Sequence, residues 1–262
     1  MKKERLDLLL VNKGMVESRS KAQRMVMAGQ ILVNEQMIIK PASKVATNAI
    51  IEIKAKDAYV SRGGKKLEWA LKYFSLNELK NKVCADVGAS TGGFTDCLLQ
   101  HGAVKVYAID VGYGILHWKM RNHPDVIVME RTNARYVESL PEKIDLVTVD
   151  ASFIPLKILF PVIRKWMDDG QAIALIKPQF EAGRKVAAKG KGVIRDPLVH
   201  KDILKEVLDQ AESFGFEVLG LTRSPIQGPK GNVEFLVHLS TQPTGKLDHD
   251  LLISKVLDLE AP

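Results

Sequence analysis

The chain has 262 residues, of which 46% are hydrophobic and 26% are charged, enough for one large domain or for a large and a small one. Two cysteines, Cys84 and Cys97, are too few for a disulfide framework or a zinc site, and the six histidines lack metal-ligand spacing, so no metal is predicted. The N-terminal apolar run is too short for a signal peptide, and no window approaches a membrane span of about 18 apolar residues, which favours a cytoplasmic protein.

The net charge of +7 is concentrated in the first quarter of the chain. Residues 1–66 contain 14 lysines and arginines against six acidic residues, whereas residues 67–262 contain 24 against 25. An excess of cations in one segment indicates a module that binds a polyanion. A basic surface that only keeps the protein in solution explains the charge equally well.

Residues 1–56 are predicted to form a small α+β unit, because glycines end two short helices and Ser18 can cap the second one. The predicted helices and strands cover residues 5–13, 19–28, 31–34, 37–40 and 50–53. Four cations on the helices suit contacts with a nucleic-acid backbone: Arg5, Arg19, Lys21 and Arg24. The alternative is that they only solvate an amphipathic helix.

The segment RLDLLLVNKGMVESRSKAQRMVMAGQILVNEQMI resembles an S4 domain, the small RNA-binding module of ribosomal protein S4 and of many RNA-modifying enzymes. The resemblance depends on the RLD start, on SRSKA at the second helix and on the GQILVN hairpin, which occur in this order. It implies that residues 1–56 bind RNA.

Strands alternate with helices after a linker at 57–63, so residues 64–262 are predicted to form an α/β domain with a mostly parallel, doubly wound sheet. The predicted strands cover residues 83–87, 104–111, 126–129, 144–149, 171–176, 216–222 and 233–239. The predicted helices cover residues 64–74, 92–101, 155–167 and 198–214.

A glycine-rich turn follows the first strand of this domain, in VCADVGASTGGFTDCLL. Such a turn before a helix lets backbone N–H groups approach a ligand, although a tight structural loop would have the same composition. The pattern D-x-G-x-S-x-G departs from the dinucleotide fingerprint G-x-G-x-x-G. It resembles motif I of S-adenosylmethionine-dependent methyltransferases, whose fold is a Rossmann-like sheet.

The resemblance implies S-adenosylmethionine as the cofactor. An anionic Asp86 at the strand end suits a cationic ligand that bears an amino acid. Asp110 ends the second strand, where a carboxylate can hold ribose hydroxyls of S-adenosylmethionine or NAD alike. By resemblance, Asn133 lies where an adenine is usually held. The predicted cofactor residues are Asp86, Gly88, Ser90, Gly92, Gly93, Phe94, Asp110 and Asn133.

Four charged residues are predicted to form a catalytic set. Asp150 and Lys177 directly follow apolar strands, whose carboxyl ends border ligand sites in open α/β sheets, and Glu234 lies between apolar residues. With Lys66 of SRGGKKL they resemble the Lys–Asp–Lys–Glu tetrad of RrmJ/FtsJ-like ribose 2′-O-methyltransferases. The register of that motif selects Lys66 rather than Lys65.

The chemistry of methyl transfer explains such a set, because a ribose hydroxyl is a poor nucleophile until it loses its proton. A free lysine titrates at about 10.4, and burial or a neighbouring cation favours its neutral, basic form. We therefore expect Lys177 to act as general base, Lys66 to tune it or to hold the ribose or phosphate, and Asp150 and Glu234 to orient the lysines. The alternative is a purely structural network of buried ion pairs.

Further cations border the predicted site. The segment KPQFEAGRKVAAKGKGVIRDP contains six cations and several glycines, and it is predicted to be a loop that grips phosphates, or else a solvated loop without a role. The predicted RNA contacts of the second domain are Arg62, Lys65, Arg184 and Lys185.

The order of these motifs along nearly the whole chain resembles the TlyA family, in which an S4 domain is fused to an FtsJ-like methyltransferase. Members carry the label "hemolysin" and include ribosomal RNA cytidine 2′-O-methyltransferases. The resemblance implies that ribosomal RNA or a ribosomal subunit is the partner. Two alternatives remain: a non-catalytic RNA-binding or ribosome assembly factor that keeps the fold, and a haemolysin, which no membrane span, signal or long amphipathic apolar helix supports.

Overall fold

A computed structural model describes residues 2–53, 58–183, 192–243, 245 and 247–258. Contacts between Cα atoms divide the chain into two compact units, Met1–Asp57 and Ala58–Pro262. Each unit has its own buried apolar core. Of the linker predicted at 57–63, residues 58–63 belong to the second unit, and a helix begins at Gly63.

The N-terminal unit combines two helices with short strands around a small core. Its elements are β1 (Lys3–Arg5), α1 (Leu6–Asn12), α2 (Arg19–Met27), β2 (Ile31–Val33), β3 (Gln36–Met37), β4 (Lys44–Ala46) and β5 (Ile51–Ile53). Leu6 and Leu10 of α1, Val26 of α2 and Ile31 of β2 are fully buried and form the centre of the core. The Ser18 side chain accepts a hydrogen bond from the Lys21 N–H and caps α2, as predicted.

Two features of this unit differ from the prediction. The hairpin between β2 and β3 turns at Asn34 and Glu35, whose φ values of 49° and 66° make a two-residue turn that suits the twist of the strands. The strand predicted at 37–40 therefore begins one residue earlier and is shorter. In addition, β1 pairs with β4 in antiparallel orientation. A charged strand of three residues with a distant partner leaves no local pattern in the sequence.

The C-terminal unit alternates strands with helices. Its helices are α3 (Gly63–Tyr73), α4 (Gly93–Gln100), α5 (Trp118–Arg121), α6 (Leu156–Lys165), α7 (Pro178–Glu181), α8 (Pro197–Ser213) and α9 (His249–Val256). Its strands are β6 (Val83–Val87), β7 (Lys105–Ile109), β8 (Val126–Met129), β9 (Leu146–Val149), β10 (Gln171–Ile176), β11 (Glu217–Arg223) and β12 (Phe235–Ser240). Single 3-10 turns lie at Ala134–Tyr136 and Pro229–Gly231.

The strands of this unit form one seven-stranded sheet in the order β11-β12-β10-β9-β6-β7-β8. Strands β6 to β10 run parallel to their neighbours among themselves, and β12 is antiparallel to both β10 and β11. The predicted α/β fold with a mostly parallel sheet is confirmed. Because β6, β9 and β10 lie side by side in the order β10-β9-β6, the residues that follow them meet at one edge of the sheet.

Helices cover both faces of this sheet, as a doubly wound fold requires. Side chains alternate between the faces along β6: Cys84 packs in the cluster with α3 and α4, whereas Ala85 packs in the cluster with α6, α8 and α9. Cys84 and Cys97 are both buried and free. Within the described ranges, we find no helix that is long and apolar enough to cross a membrane.

Candidate active site

A cavity of about 710 Å³ lies at the carboxyl ends of β6, β9 and β10. Ligands of small-molecule size occupy cavities of roughly 300–1,000 Å³. Nine predicted site residues line it: Arg62, Lys66, Gly88, Ser90, Gly93, Phe94, Asp150, Lys177 and Glu234. Five predicted residues of the same unit are not among its lining residues: Lys65, Asp86, Gly92, Asp110 and Asn133.

The turn after β6 brings main chain to the cavity. Gly88 has a φ of +84°, and a Cβ atom there would lie 2.7 Å from the carbonyl oxygen of Asp150, so the turn requires glycine. Gly92 has a φ of +92° and lies directly before α4. The close approach of the Gly88 turn to Asp150 joins the predicted cofactor segment to the predicted catalytic set.

Asp86 supports this turn from inside the sheet. The carboxyl group is fully buried and accepts hydrogen bonds from Thr95 Oγ1 at 2.7 Å and from Thr148 Oγ1 at 3.2 Å. Burial raises the pKa of Asp86 to about 7. We predicted that Asp86 contacts a cationic ligand directly, and this stays a prediction. The hydrogen bonds that the structure shows place Asp86 behind the turn, which it supports.

The two remaining predicted cofactor residues order the neighbouring loops. Asp110, after β7, accepts hydrogen bonds from the Ser90 N–H at 2.8 Å and from the Gly112 N–H at 2.7 Å. Asn133 Oδ1 accepts a hydrogen bond from the Arg135 N–H at 3.2 Å. Asp110 thus connects the ends of β6 and β7. No group of three or more histidine, cysteine or acidic residues in the described ranges is arranged to hold a metal ion.

The four predicted catalytic residues form two ion pairs in the cavity. Lys66 Nζ lies 2.6 Å from Glu234 Oε2, and these side chains are 8% and 1% exposed. Lys177 Nζ lies 2.6 Å from Asp150 Oδ1, with exposed fractions of 8% and 23%. Each lysine is therefore matched with a carboxylate, which offsets part of the cost of burying the charges.

The Nζ atom of Lys177 contacts more oxygen atoms than that of Lys66. Besides Asp150 Oδ1, its Nζ donates to the carbonyl oxygens of Asp150 at 3.2 Å and Ala151 at 3.0 Å, and to Ser152 Oγ at 3.0 Å. An ammonium group has three N–H donors, so four oxygens saturate it. Lys177 can take a proton from a substrate only after one of these contacts opens and the amine is neutral.

The Glu234 carboxylate occupies a space that a glycine leaves open. Its Oε2 binds Lys66, whereas its Oε1 is buried without a hydrogen-bond partner among the described residues. A Cβ atom at Gly228 would overlap this Oε1. The chain before β12 therefore has room for the Glu234 carboxylate only because residue 228 lacks a side chain.

Replacing Gly228 with alanine is expected to push the Glu234 carboxylate away from Lys66 and to lower the rate of the predicted methyl transfer roughly tenfold or more, because small displacements of catalytic groups are costly. The rate is measured with saturating substrates for Gly228→Ala, Glu234→Gln and the double variant. If Gly228 acts through Glu234, the two losses will not add. Additive losses would show that Gly228 acts elsewhere.

The last residues of the predicted basic loop are anchored beside the cavity by Asn232. Its Nδ2 donates to the Gly192 carbonyl oxygen at 2.9 Å, and its Oδ1 accepts from the Ile194 N–H at 3.2 Å. Two predicted RNA contacts in this loop, Arg184 and Lys185, lie outside the described residues. The other two predicted RNA contacts of this unit, Arg62 and Lys65, are exposed near the start of α3.

Two predicted RNA contacts in the N-terminal unit also have an internal partner. Asp7 is fully buried and accepts hydrogen bonds from Arg5 Nε and Nη2, from Arg19 Nε and from Gln23 Nε2, at 2.9–3.0 Å. The Arg5 guanidinium holds the pKa of Asp7 well below its usual range. Arg5 and Arg19 remain 38% and 52% exposed. The other two predicted contacts, Lys21 and Arg24, lie on α2.

The cavity also contains residues that sequence reasoning missed. Phe153, 89% exposed with a left-handed φ of 65°, lies beside Phe180 with ring centroids 4.9 Å apart and ring planes tilted by 49°. Gln179 and Lys230 complete this side of the cavity. A sequence does not reveal that an aromatic residue is exposed and has a left-handed φ. Gln179, in contrast, lies two residues after the predicted base Lys177, and this short distance along the chain could have indicated that it lines the cavity.

Comparisons with known families agree with this geometry. The FtsJ-like methyltransferase family model matches residues 59–241, and the S4 domain model matches residues 4–51. The fold and the site thus define a methyltransferase with an N-terminal S4 domain.

Close relatives cover almost the whole chain. The Bacillus subtilis protein named "Putative rRNA methyltransferase YqxC" is 47% identical over 258 residues, which are 95% of this chain and 90% of that protein. The Mycobacterium tuberculosis protein named "16S/23S rRNA (cytidine-2'-O)-methyltransferase TlyA" is 39% identical, over 92% of this chain and 91% of that protein. A solved structure described as "Putative hemolysin from Streptococcus thermophilus" has 42% identity and a TM-score of 0.75, over 98% of this chain and 95% of that one. The chain belongs to the TlyA family of FtsJ-like methyltransferases.

Proposed function

We propose that this protein transfers a methyl group from S-adenosylmethionine to the ribose 2′-hydroxyl of a cytidine in ribosomal RNA. The observation that carries the proposal is the pair of buried lysine–carboxylate contacts, Lys66–Glu234 and Lys177–Asp150, in one cavity beside a glycine-rich turn. The names of two TlyA relatives, from Mycobacterium tuberculosis and Campylobacter jejuni, support cytidine and the 2′-oxygen.

The residues at the turn after β6 fit S-adenosylmethionine. The cavity is lined there by Gly88, Ala89, Ser90 and Thr91, and the left-handed Gly88 lets the turn pass close to the main chain of Asp150. We expect this turn, with Asp110 and Asn133 on the next loops, to hold the cofactor. When bound, S-adenosylmethionine supplies a methyl group that is electrophilic because the sulfur is positively charged.

The two ion pairs have different tasks in the proposed reaction. Lys177, as the neutral amine, takes the proton of the 2′-hydroxyl at Nζ, and Asp150 keeps the amine oriented during this transfer. Lys66 has one contact with a described carboxylate, that of Glu234, so its other N–H groups can hold a ribose or phosphate oxygen. Glu234 fixes the direction of Lys66. No step requires a metal ion.

RNA binding is proposed for the cations outside the cavity. Arg5, Arg19, Lys21 and Arg24 belong to the unit that the S4 domain model matches. Arg62 and Lys65, with Arg184 and Lys185, flank the site in sequence and would contact phosphates of the target strand. With ribosomal RNA as the proposed partner, we expect the protein in the cytoplasm.

The first experiment is transfer of label from radiolabelled S-adenosylmethionine to separated 30S and 50S subunits that lack the modification. We expect label on at least one subunit, at a nucleotide whose linkage resists alkali, because a 2′-O-methyl group blocks hydrolysis. A protein that binds S-adenosylmethionine but labels neither subunit would contradict the proposal and favour the non-catalytic assembly factor.

A further inference from the structure

Ser152 connects the buried amine of Lys177 with the open space of the cavity. Ser152 is exposed and lines the cavity, and its Oγ lies 3.0 Å from Lys177 Nζ. The Lys177 side chain itself is only 8% exposed. A substrate in the cavity can therefore reach the amine through the Ser152 hydroxyl group, without a path of its own to Nζ.

The Ser152 hydroxyl also differs chemically from the other groups around Lys177 Nζ. Three further oxygens contact Nζ in the described part of the chain: Asp150 Oδ1 and the main-chain carbonyl oxygens of Asp150 and Ala151. Carboxylate and carbonyl oxygens only accept hydrogen bonds, whereas a hydroxyl group both accepts and donates. Among these four oxygens, Ser152 Oγ alone carries a proton.

The protonation state of Lys177 decides the direction of the hydrogen bond to Ser152. An ammonium group has three N–H donors and no lone pair, so it donates to Ser152 Oγ. A neutral amine has a lone pair, which a carboxylate or carbonyl oxygen repels, whereas the Ser152 hydroxyl can turn its proton toward Nζ. The contact that opens in the neutral amine is therefore the one to Ser152, whose hydroxyl becomes the donor.

We infer that Ser152 is a further catalytic residue, which passes the proton of the ribose 2′-hydroxyl to Lys177. The inference rests on the proposed function. The 2′-hydroxyl proton moves to Ser152 Oγ while the Ser152 proton moves to Nζ, so that the amine becomes an ammonium and Ser152 remains a neutral hydroxyl. The freed electron pair of the 2′-oxygen forms the bond to the methyl carbon, whose bond to sulfur breaks with its electron pair left on sulfur.

The first test compares Ser152→Ala with Ser152→Thr in single-turnover methyl transfer to the ribosomal subunit that the wild-type protein labels. Ser152→Ala removes the hydroxyl and should lower the rate roughly 100-fold, with little change in S-adenosylmethionine binding. Ser152→Thr keeps a hydroxyl and should recover most of the rate. Ser213→Ala changes an exposed serine of α8 that does not line the cavity, and it should react at the wild-type rate.

The second test distinguishes a proton relay from a serine that only positions Lys177. Single-turnover rates of the wild-type protein are measured in mixtures of H₂O and D₂O. Two protons that move in one step give a curved dependence of the rate on the deuterium fraction, whereas one proton gives a straight line. We expect a curve. This measurement does not depend on the folding of Ser152→Ala, which is checked by thermal unfolding.

Two results would overturn the inference and leave the proposed function intact. A Ser152→Ala variant with more than about a tenth of the wild-type rate would show that Lys177 takes the proton directly. A straight line, or no dependence on deuterium, would make Ser152 a positioning residue for Lys177. Absence of methyl transfer by the wild-type protein to either subunit would instead overturn the proposed function, and the inference with it.

Discussion

Replacing Lys177 with methionine is expected to lower the rate of methyl transfer to RNA about 1,000-fold, with little change in S-adenosylmethionine binding. A positioned general base contributes roughly 10²- to 10⁴-fold to a rate. Methionine keeps the length and the apolar stem of the side chain but has no amine that could take the hydroxyl proton. Single-turnover transfer from radiolabelled S-adenosylmethionine to ribosomal subunits measures the effect on the chemical step alone.

Two further variants test whether Lys177 acts as a general base or only supplies a positive charge. Lys177→Arg keeps a cation with donors for the oxygens around it but remains protonated, so it should be nearly as slow as Lys177→Met. Lys165→Met removes an exposed lysine at the end of α6, outside the cavity, and should transfer methyl groups at the wild-type rate. A Lys177→Arg variant with more than about a tenth of the wild-type rate would contradict the role of general base.

The central strands and the residues directly after them were predictable from the sequence. Strands β6 and β10 have the predicted bounds, 83–87 and 171–176, because strands covered on both faces form continuous apolar runs. Parallel strands then bring their carboxyl ends to one edge, so locating the strands also located Asp150 and Lys177. The S4 and FtsJ-like units were recognised from ordered motifs, and models of both families match the chain, at residues 4–51 and 59–241.

The register of the two lysines in α3 could also be predicted. The sequence SRGGKKL places Lys66 beside Leu67, and the structure buries both, while Lys65 is exposed. On a helix, residues that are three or four positions apart lie on the same face, so Lys66 shares the buried face with Ala70.

The remaining features depend on contacts between distant segments and had no local signal. The Glu234 carboxylate has room only because the distant residue 228, which lies against it in the fold, is a glycine. Asp7 accepts hydrogen bonds from Arg5 and Arg19. From the sequence, these two arginines could be assigned only to RNA binding, because their shared internal partner is not visible there. Asp86 was expected to be an anion, but burial that only the folded sheet creates moves its pKa to about 7.

Replacing Lys66 with methionine is expected to destabilise the C-terminal unit by about 3–5 kcal/mol, because the buried Glu234 carboxylate loses its cation. The midpoint of thermal unfolding should fall by roughly 10 °C in a unit of this size. Lys72→Met changes an exposed lysine of the same helix and should alter the free energy of unfolding by less than about 0.5 kcal/mol. Denaturant unfolding of both variants measures the difference.

The double variant Lys66→Met/Glu234→Gln distinguishes a structural ion pair from a catalytic one. It buries no unpaired charge, so most of the lost stability should return, since replacing both partners of a buried pair is often nearly neutral. Methyl transfer should stay slow, because no ammonium remains at residue 66 to hold the ribose or phosphate. If turnover returned together with stability, Lys66 and Glu234 would serve the fold alone, and the reaction would depend on Lys177 and Asp150.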